Sequence, residues 1–461
     1  MTATVDDVGA DAEEPAPGRS RTARRILARH EYRGLVVITG VAFALRLAWL
    51  LYAKATPPTS WIGAGDQYSY WYYGNEIAAG RGYVSYVTHQ PTAYYPIGYP
   101  ALLASLFFVV LHLHVPGDLM LWAGLMHVVF STATVVLVFL IGRRVFTPTV
   151  GLIAAALLAV FPNAIYQVST LQLETTFIFL STAALAAIVL HDWSAGLPSR
   201  RRLLAFGFVL GLSVLVRPFS LWFLVGVFFA ALAVRAGWRR ALMTALVPAL
   251  VIVGMSIPWL IRNQIRMHAF IVTSTNTGDT LCLDRNMTAY GGFRFADHDG
   301  CVDPGLPEVP RNAGNTRKAV SFVIHHPARE ALQIVRRAKF EFTDDHDGIE
   351  ATETLGRGRF LTSGTRNLLS NVADWYFYIV LALAILGVPR LVLASRKRPE
   401  PRLVLVALVA LLAIPLLLWG NQRFHLPLYP YLVLLAAATV ERVVRVGRNR
   451  SGDRLMGAPS T

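Results

Sequence analysis

A chain of 461 residues that is 54% hydrophobic and only 15% charged, with a mean hydropathy of +0.46, lies far outside the composition of a soluble protein of its size. It reads as an all-α polytopic membrane protein. The formal charge of +15 does not point to a nucleic acid, because the arginines fall in short runs between apolar segments, the pattern of cytoplasmic loops, so the basicity reports topology.

In chain order, residues 1–33 are a tail, acidic and without periodicity to about Ser20, then basic at Arg21, Arg24, Arg25, Arg29 and Arg33. A disordered, cytoplasmic segment is expected there. Leu35 to Ala53 is the first span, too long and too poorly closed for a cleaved signal peptide, and so an anchor. Behind it the first outer loop, 54–100, holds WIGAGDQYSYWYYGNEIAAGRGYVSYVTHQPTAYYPIGYP from Trp61 to Pro100, crowded with tyrosine and carrying two acids, Asp66 and Glu76. Such rings prefer the headgroup boundary, which predicts interfacial helices here. On a helix from Asp66 onward, Tyr70, Tyr73 and Ile77 share its face, placing the acid at one end of an amphipathic surface strip.

Further apolar runs of spanning length are Met120 to Ile141, Thr149 to Tyr166, Thr175 to His191, Leu203 to Val216, Phe219 to Val234, Ala241 to Ile261, Ala373 to Leu393, Leu403 to Trp419 and Leu428 to Val446. Arg217-Pro218 is a turn between two spans. Pro100 to Val115 is apolar enough to cross, but a crossing would put most basic runs outside, so a re-entrant or interfacial helix is expected. The result is about ten crossings with both termini inside. It divides into a transmembrane module 34–261, an extracytoplasmic region 262–372, C-terminal transmembrane helices 373–446 and a cytoplasmic tail 447–461. Within the outer region Thr316 to Phe342 reads as one basic amphipathic helix. The two cysteines, Cys282 and Cys301, both fall there, where an oxidising compartment permits a disulfide; two free thiols is the other reading.

The stretches GDQYSYWYYGNEIAAGRGY and PTAYYPIGYPALLASLFF, then PNAIYQVSTLQLETTF around Glu174, LSVLVRP ending at Pro218, PWLIRNQIRMHAFIVTSTNTGDTL from Pro258 and NQRFHLPLYPYLVLLAA from Asn421 together resemble the GT-C class of membrane glycosyltransferases. The likeness is to the branch of protein O-mannosyltransferases and aminoarabinose transferases, and extends from about Leu35 to Arg445. It implies a GT-C type helix bundle that transfers a sugar from a polyprenyl-phosphate carrier to a glycan, lipid or protein acceptor at the outer membrane face, with inversion. Carried over by position, Asp66 matches the base in the first outer loop and Glu174 a second acid. Relatives that bind a metal place an acid where this chain has Tyr94-Tyr95 before Pro96, so no cofactor is assigned and a divalent metal stays open.

The residues support that chemistry independently. An inverting displacement needs a base for the acceptor proton and a cationic site for the leaving phosphate. Asp66 is a base or a helix N-cap; Glu174 and Glu76 are candidate acids on the acceptor side, and Glu174 can equally cap its helix. Arg262, Arg423 and Arg217 each sit at the outer end of a crossing, where a forked guanidinium can take a lipid phosphate or snorkel. His425 and Tyr70 are further candidates, His425 because its turn faces the expected cavity. Asp344 to Asp347 have metal-ligand types, although four consecutive residues do not converge on one ion. A secondary transporter or lipid flippase is the competing class, and a transferase resembling O-antigen ligases, using diphosphate-linked donors, is a further alternative.

Overall fold

The computed structural model describes residues 17–59, 64–293, 305–355, 360–414 and 418–456, with side chains from residue 30 to 446. Among the described residues there are seventeen α-helices, short 3-10 turns and no β-strand. The first part comprises α1 (Pro17–Ala53), α2 (Asp66–Ala78), α3 (Gly98–His112), α4 (Leu119–Val145), α5 (Pro148–Ala159), α6 (Pro162–Tyr166), α7 (Glu174–Val189), α8 (Arg200–Val216), α9 (Phe223–Ala233) and α10 (Trp238–Met267). Then come α11 (Thr277–Cys282), α12 (Glu308–His325), α13 (Pro327–Glu341), α14 (Asp347–Leu355), α15 (Ser363–Lys397), α16 (Pro399–Leu412) and α17 (Tyr429–Met456).

Local chemistry sets several boundaries. The Asp118 side chain accepts from the Leu121 amide to start α4, Thr147 caps α5 ahead of Pro148, Ser199 caps α8 and Thr362 caps α15. Five helices are long and apolar enough to cross a bilayer, and Pro148–Ala159 with Pro162–Ser169, bent by 60°, add a sixth if the pair is one span. The chain is an integral, multi-pass membrane protein. The expected ten or so crossings require shorter apolar helices, Glu174–Val189 and Pro218–Ala233 among them, to cross as well.

The helices pack as a bundle with two chemically distinct ends. At one end the basic runs meet acids: Arg143 with Glu31 at 3.4 Å, Arg144 with Asp192 at 3.2 Å and Glu400 at 2.8 Å, while Arg398 donates to the Val145 carbonyl. Helix α1 leaves that end at Glu31 and α4 returns to it at Arg143, so the chain between them lies at the opposite end. Helix α3, 15 residues and about 22 Å long, starts and finishes there and does not join the two ends. Its first residue, Gly98, touches the end of α8 so closely that a Cβ would lie 2.5 Å from the Leu215 carbonyl carbon and 2.6 Å from the Val216 nitrogen.

Inside the bundle Arg46 is fully buried in α1, donating to Ser131 at 2.7 Å and to the carbonyls of Ala42, Leu158 and Ala159. It ties α1 to α4 and to the end of α5 with no carboxylate partner among these contacts. Other details depart from the sequence expectations. Tyr70 and Tyr73 are 2% exposed, packed in apolar clusters instead of lying on a surface strip. Helix α1 begins at Pro17, so the basic run lies on a helix. The single helix expected over Thr316 to Phe342 is two, α12 and α13, broken at His326-Pro327 because proline offers no amide to continue the first. Cys282 is disulfide-bonded, and Cys301 lies outside the described residues.

Candidate active site

Four ionisable side chains from four separate stretches meet at the end of the bundle away from the basic runs. Asp66 is the first residue of α2, entered through Gly65 at φ 51. One carboxylate oxygen accepts from the Tyr95 hydroxyl at 2.6 Å and the other from Arg423 Nη1 at 2.9 Å. Glu174 opens α7 and is fully buried; its Oε1 accepts from Arg423 Nη2 at 2.9 Å, Arg423 Nε at 3.2 Å and Arg217 Nη2 at 3.0 Å. Arg217 sits in extended backbone between α8 and the 3-10 turn from Pro218, its guanidinium 5.4 Å from the Phe424 ring centre. Arg423 lies in the turn Gln422–Phe424, which the Asn421 side chain closes by accepting from the Arg423 amide at 2.9 Å.

These groups form a chain, Asp66 to Arg423 to Glu174 to Arg217, alternating in sign. Burial would raise the Asp66 pKa, but Arg423, the Tyr95 hydroxyl and Arg217 outweigh it and hold the carboxyl below its ordinary value. Burial and the adjacent Asp66 charge push the Tyr95 phenol well up, keeping it a proton donor. Two buried atoms lack any partner: Nη1 of Arg217 and Oε2 of Glu174. An orphaned guanidinium N–H costs free energy unless an acceptor arrives, so this one points to a ligand.

Asp66, Arg217 and Arg423 line a cavity of about 1490 Å³, larger than most small-molecule sites, with Glu174 buried behind them. Beside Arg217 and Arg423 its wall is apolar, with Leu173, Phe219, Trp419 and Phe424. Its far wall is polar and comes from the outer region. There Glu308, which starts α12, accepts from Thr92 Oγ1 at 2.6 Å, from the Ala93 amide at 2.8 Å and from Thr275, while Asp279 accepts from Tyr94 at 3.1 Å and Asn315 at 2.8 Å. These two acids clamp α11 and α12 onto the first outer loop. Nothing in their local sequence marks them, since each is recognisable only from the loop it holds.

Several expected residues lie elsewhere. Arg262 is not in the cluster: it donates to the carbonyls of Thr92 at 2.7 Å and Tyr83 at 2.5 Å and sits 5.1 Å from the Trp259 ring centre, stapling the 83–92 turn to α10. Glu76 lies nearly three turns beyond Asp66 and pairs with Arg81 at 2.7 Å. His425 does not face the cavity, because the 3-10 turn that aims Arg423 one way turns residue 425 inward. There its Nε2 lies 2.8 Å from Asp345, and its Nδ1 contacts the Glu341 carbonyl. Asp345 also accepts from Asn163 at 3.0 Å and from Tyr429, so this buried network braces the turn that carries Arg423. Tyr70 does line the cavity, edge-on to Tyr99.

The Asp344 to Asp347 run splits by direction. Asp345 and Asp347 point inward to Asn163, whereas Asp344, His346 and Asp374 bring ligand atoms within 4.8 Å of one another. His346 is 3.0 Å from Asp374, whose hydrogen bond, against the effect of burial, raises the imidazole to about 9. These are ligand types that could hold a metal ion, but the trio does not line the cavity. Nor does the four-residue cluster fit a divalent ion. Both oxygens of Asp66 and one of Glu174 are engaged by donors, two guanidiniums balance the two carboxylates, and a single unpartnered oxygen is too little for a hard cation.

A family model described as dolichyl-phosphate-mannose-protein mannosyltransferase matches residues 99–261. That stretch runs from α3 through α10, and includes Glu174 and Arg217. No relative among curated proteins matches the chain. The oligosaccharyltransferase AglB from Archaeoglobus fulgidus, solved with an inhibitory peptide and a dolichol-phosphate, covers 94% of this chain at 16% identity with a TM-score of 0.50; in a form tethered to an acceptor peptide the TM-score is 0.51. The chain has the GT-C fold. It spans about half of AglB, 52% of that protein's length. ArnT from Cupriavidus metallidurans bound to undecaprenyl phosphate is 13% identical over 88% of this chain and 77% of its own, with a TM-score of 0.40. Within the GT-C fold of this chain, the four-residue cluster joins the first outer loop, the opening of α7, the end of α8 and the turn before α17.

Proposed function

We propose that the protein transfers a sugar from a polyprenyl-phosphate carrier to an acceptor hydroxyl at the extracytoplasmic face of the plasma membrane, with inversion. The observation that carries this reading is the alternating chain from Asp66 to Arg217, with an ionised carboxylate at one end and a guanidinium holding an unused buried N–H at the other. The apolar wall of Leu173, Phe219, Trp419 and Phe424 suits the first isoprene units, and Arg217 with Arg423 suits the phosphate, which guanidinium forks bind through paired donors. The family match and the dolichol-phosphate held by AglB support the same donor class.

In the displacement the acceptor oxygen forms its bond to the anomeric carbon as the bond from that carbon to the phosphate oxygen breaks. The acceptor proton passes to Asp66, and the electron pair leaves with the carrier phosphate, where Arg217 and Arg423 meet the new charge. Glu174, buried and shared by both arginines, sets their separation. When the donor phosphate draws Arg423 away, Asp66 loses the neighbour that most depresses its proton affinity and becomes a better base. No step needs a metal. Arg46, inside the first span, is satisfied by a hydroxyl and carbonyls, and Arg390, inside a later one, pairs with Glu441 at 2.9 Å, so neither offers an uncompensated transport charge.

Asp66→Asn tests the reading. The amide is as good as the acid at capping a helix and keeps the size, but takes no proton, so transfer from a labelled polyprenyl-monophosphate sugar should fall about a hundredfold or more while donor binding persists. Turnover near the parent rate would remove Asp66 as the base.

A further inference from the structure

Helix α13 is amphipathic in the reverse sense for an exposed unit, and α12, although it buries Ala319 and Phe322, also exposes apolar side chains. The buried positions of α13 are Glu330, Gln333, Arg337 and Glu341, with Arg337 paired to Asp284 and, at 2.7 Å, to Glu330. Apolar side chains stand outward among the cations: Leu332 is 48% and Val335 66% exposed, and on α12 Val320 is 49% and Ile324 67% exposed. Water is a poor neighbour for such a stripe. We propose that the outward face of α12 and α13 lies in the headgroup layer of the bilayer and binds anionic lipid.

Two observations select a lipid surface over another occupant. The first is depth. Where α13 ends, Phe342 stacks on Phe377 of α15 and the Tyr378 hydroxyl donates to the Thr343 carbonyl. At this level α15 exposes Trp375, and toward the basic end it exposes Ile379, Leu386 and Leu393, a lipid-facing row whose aromatic top marks the headgroup boundary. The second is charge. From Glu308 to Glu341 the chain has seven arginines and lysines against three glutamates, and Arg317 and Lys339 are exposed at the two ends of the apolar stripe. Apolar side chains flanked by cations are what a helix lying in an anionic interface presents. The same α12 carries Glu308 and Arg311 into the cavity, so the bilayer would hold the cavity's outer wall. This inference is independent of the transfer chemistry.

The test places a nitroxide on single cysteines, Ile324→Cys, Leu332→Cys and Val335→Cys, with His89→Cys in the exposed outer loop as the aqueous reference. The full chain is reconstituted in vesicles of phosphatidylglycerol and phosphatidylethanolamine. Collisions with oxygen should exceed those with a water-soluble nickel chelate severalfold at the three helix sites, and the order should reverse at residue 89. Nickel access equal to that at residue 89, or suppression of both reagents as under a protein partner or a second copy, would overturn the proposal. With Arg317→Glu and Lys339→Glu combined, the residue 335 label should move toward the nickel reagent in phosphatidylglycerol vesicles and much less in phosphatidylcholine; no difference between the lipids would refute the anionic preference.

Discussion

Arg217 and Arg262 both stand at the end of a spanning helix beside aromatic rings, yet their surroundings assign them opposite work. Arg262 spends its guanidinium on two backbone carbonyls, whereas Arg217 keeps one N–H unused beside the cavity. Arg217→Ala should therefore cut kcat/KM for the lipid donor by about ten- to a hundredfold, the loss of one or two charge-assisted hydrogen bonds, with the melting temperature held. Arg262→Ala should do the reverse, lowering the melting temperature by stranding the Thr92 carbonyl at about 1–3 kcal/mol, while the Tyr83 carbonyl keeps the Thr92 amide, with donor KM near the parent value. Steady-state kinetics and thermal melts on the pair decide it; equal effects on both would erase the distinction. The same residue-level inventory predicts that exhaustive chelation with EDTA leaves transfer unchanged, since guanidiniums already balance Asp66 and Glu174. A chelator-sensitive rate restored by a divalent ion would contradict it.

At the scale of elements, the proposed transfer depends on how closely α3 meets α8. Gly98 lies against backbone atoms of Leu215 and Val216, which cannot rotate away, and Arg217 follows directly. Gly98→Ala forces the two helices apart by some tenths of an ångström and carries Arg217 with them. Transfer should fall about tenfold or more, because a misplacement on the order of an ångström costs up to a hundredfold in rate, while α3 gains the better helix former. An alanine variant with parent kinetics would show that the end of α8 is not a fixed support. The inward-turned His425 belongs to this scale too: its bond to Asp345 orients the Gln422–Phe424 turn, so it acts on Arg423 through the backbone.

For the whole molecule, gathering the basic runs at one end and the four-residue cluster at the other makes orientation testable. Single cysteines at His89 and Gly364 should react with an impermeant reagent added to intact cells, and those at Ser199 and Arg396 should not. The reverse pattern would place the cluster on the cytoplasmic side. Composition and the spacing of apolar runs were enough to read an all-α membrane bundle, because a bilayer admits few solutions and each leaves a span-length signature. The alternation of basic loops is likewise the reason to read α3 as a helix that does not cross. Asp66, Glu174, Arg217 and Arg423 could be named from the sequence, since a charge at the outer end of a span is conspicuous against apolar neighbours. Their pairing could not, because they are up to 357 positions apart and meet only through long-range packing. For the same reason Arg262 and Arg217 look alike in the chain, and only the structure supplies two carbonyls to one and an open cavity to the other. Periodicity tells which face of a helix differs from the rest, but whether that face turns inward, as the charged side of α13 does, depends on neighbours that the local sequence does not contain.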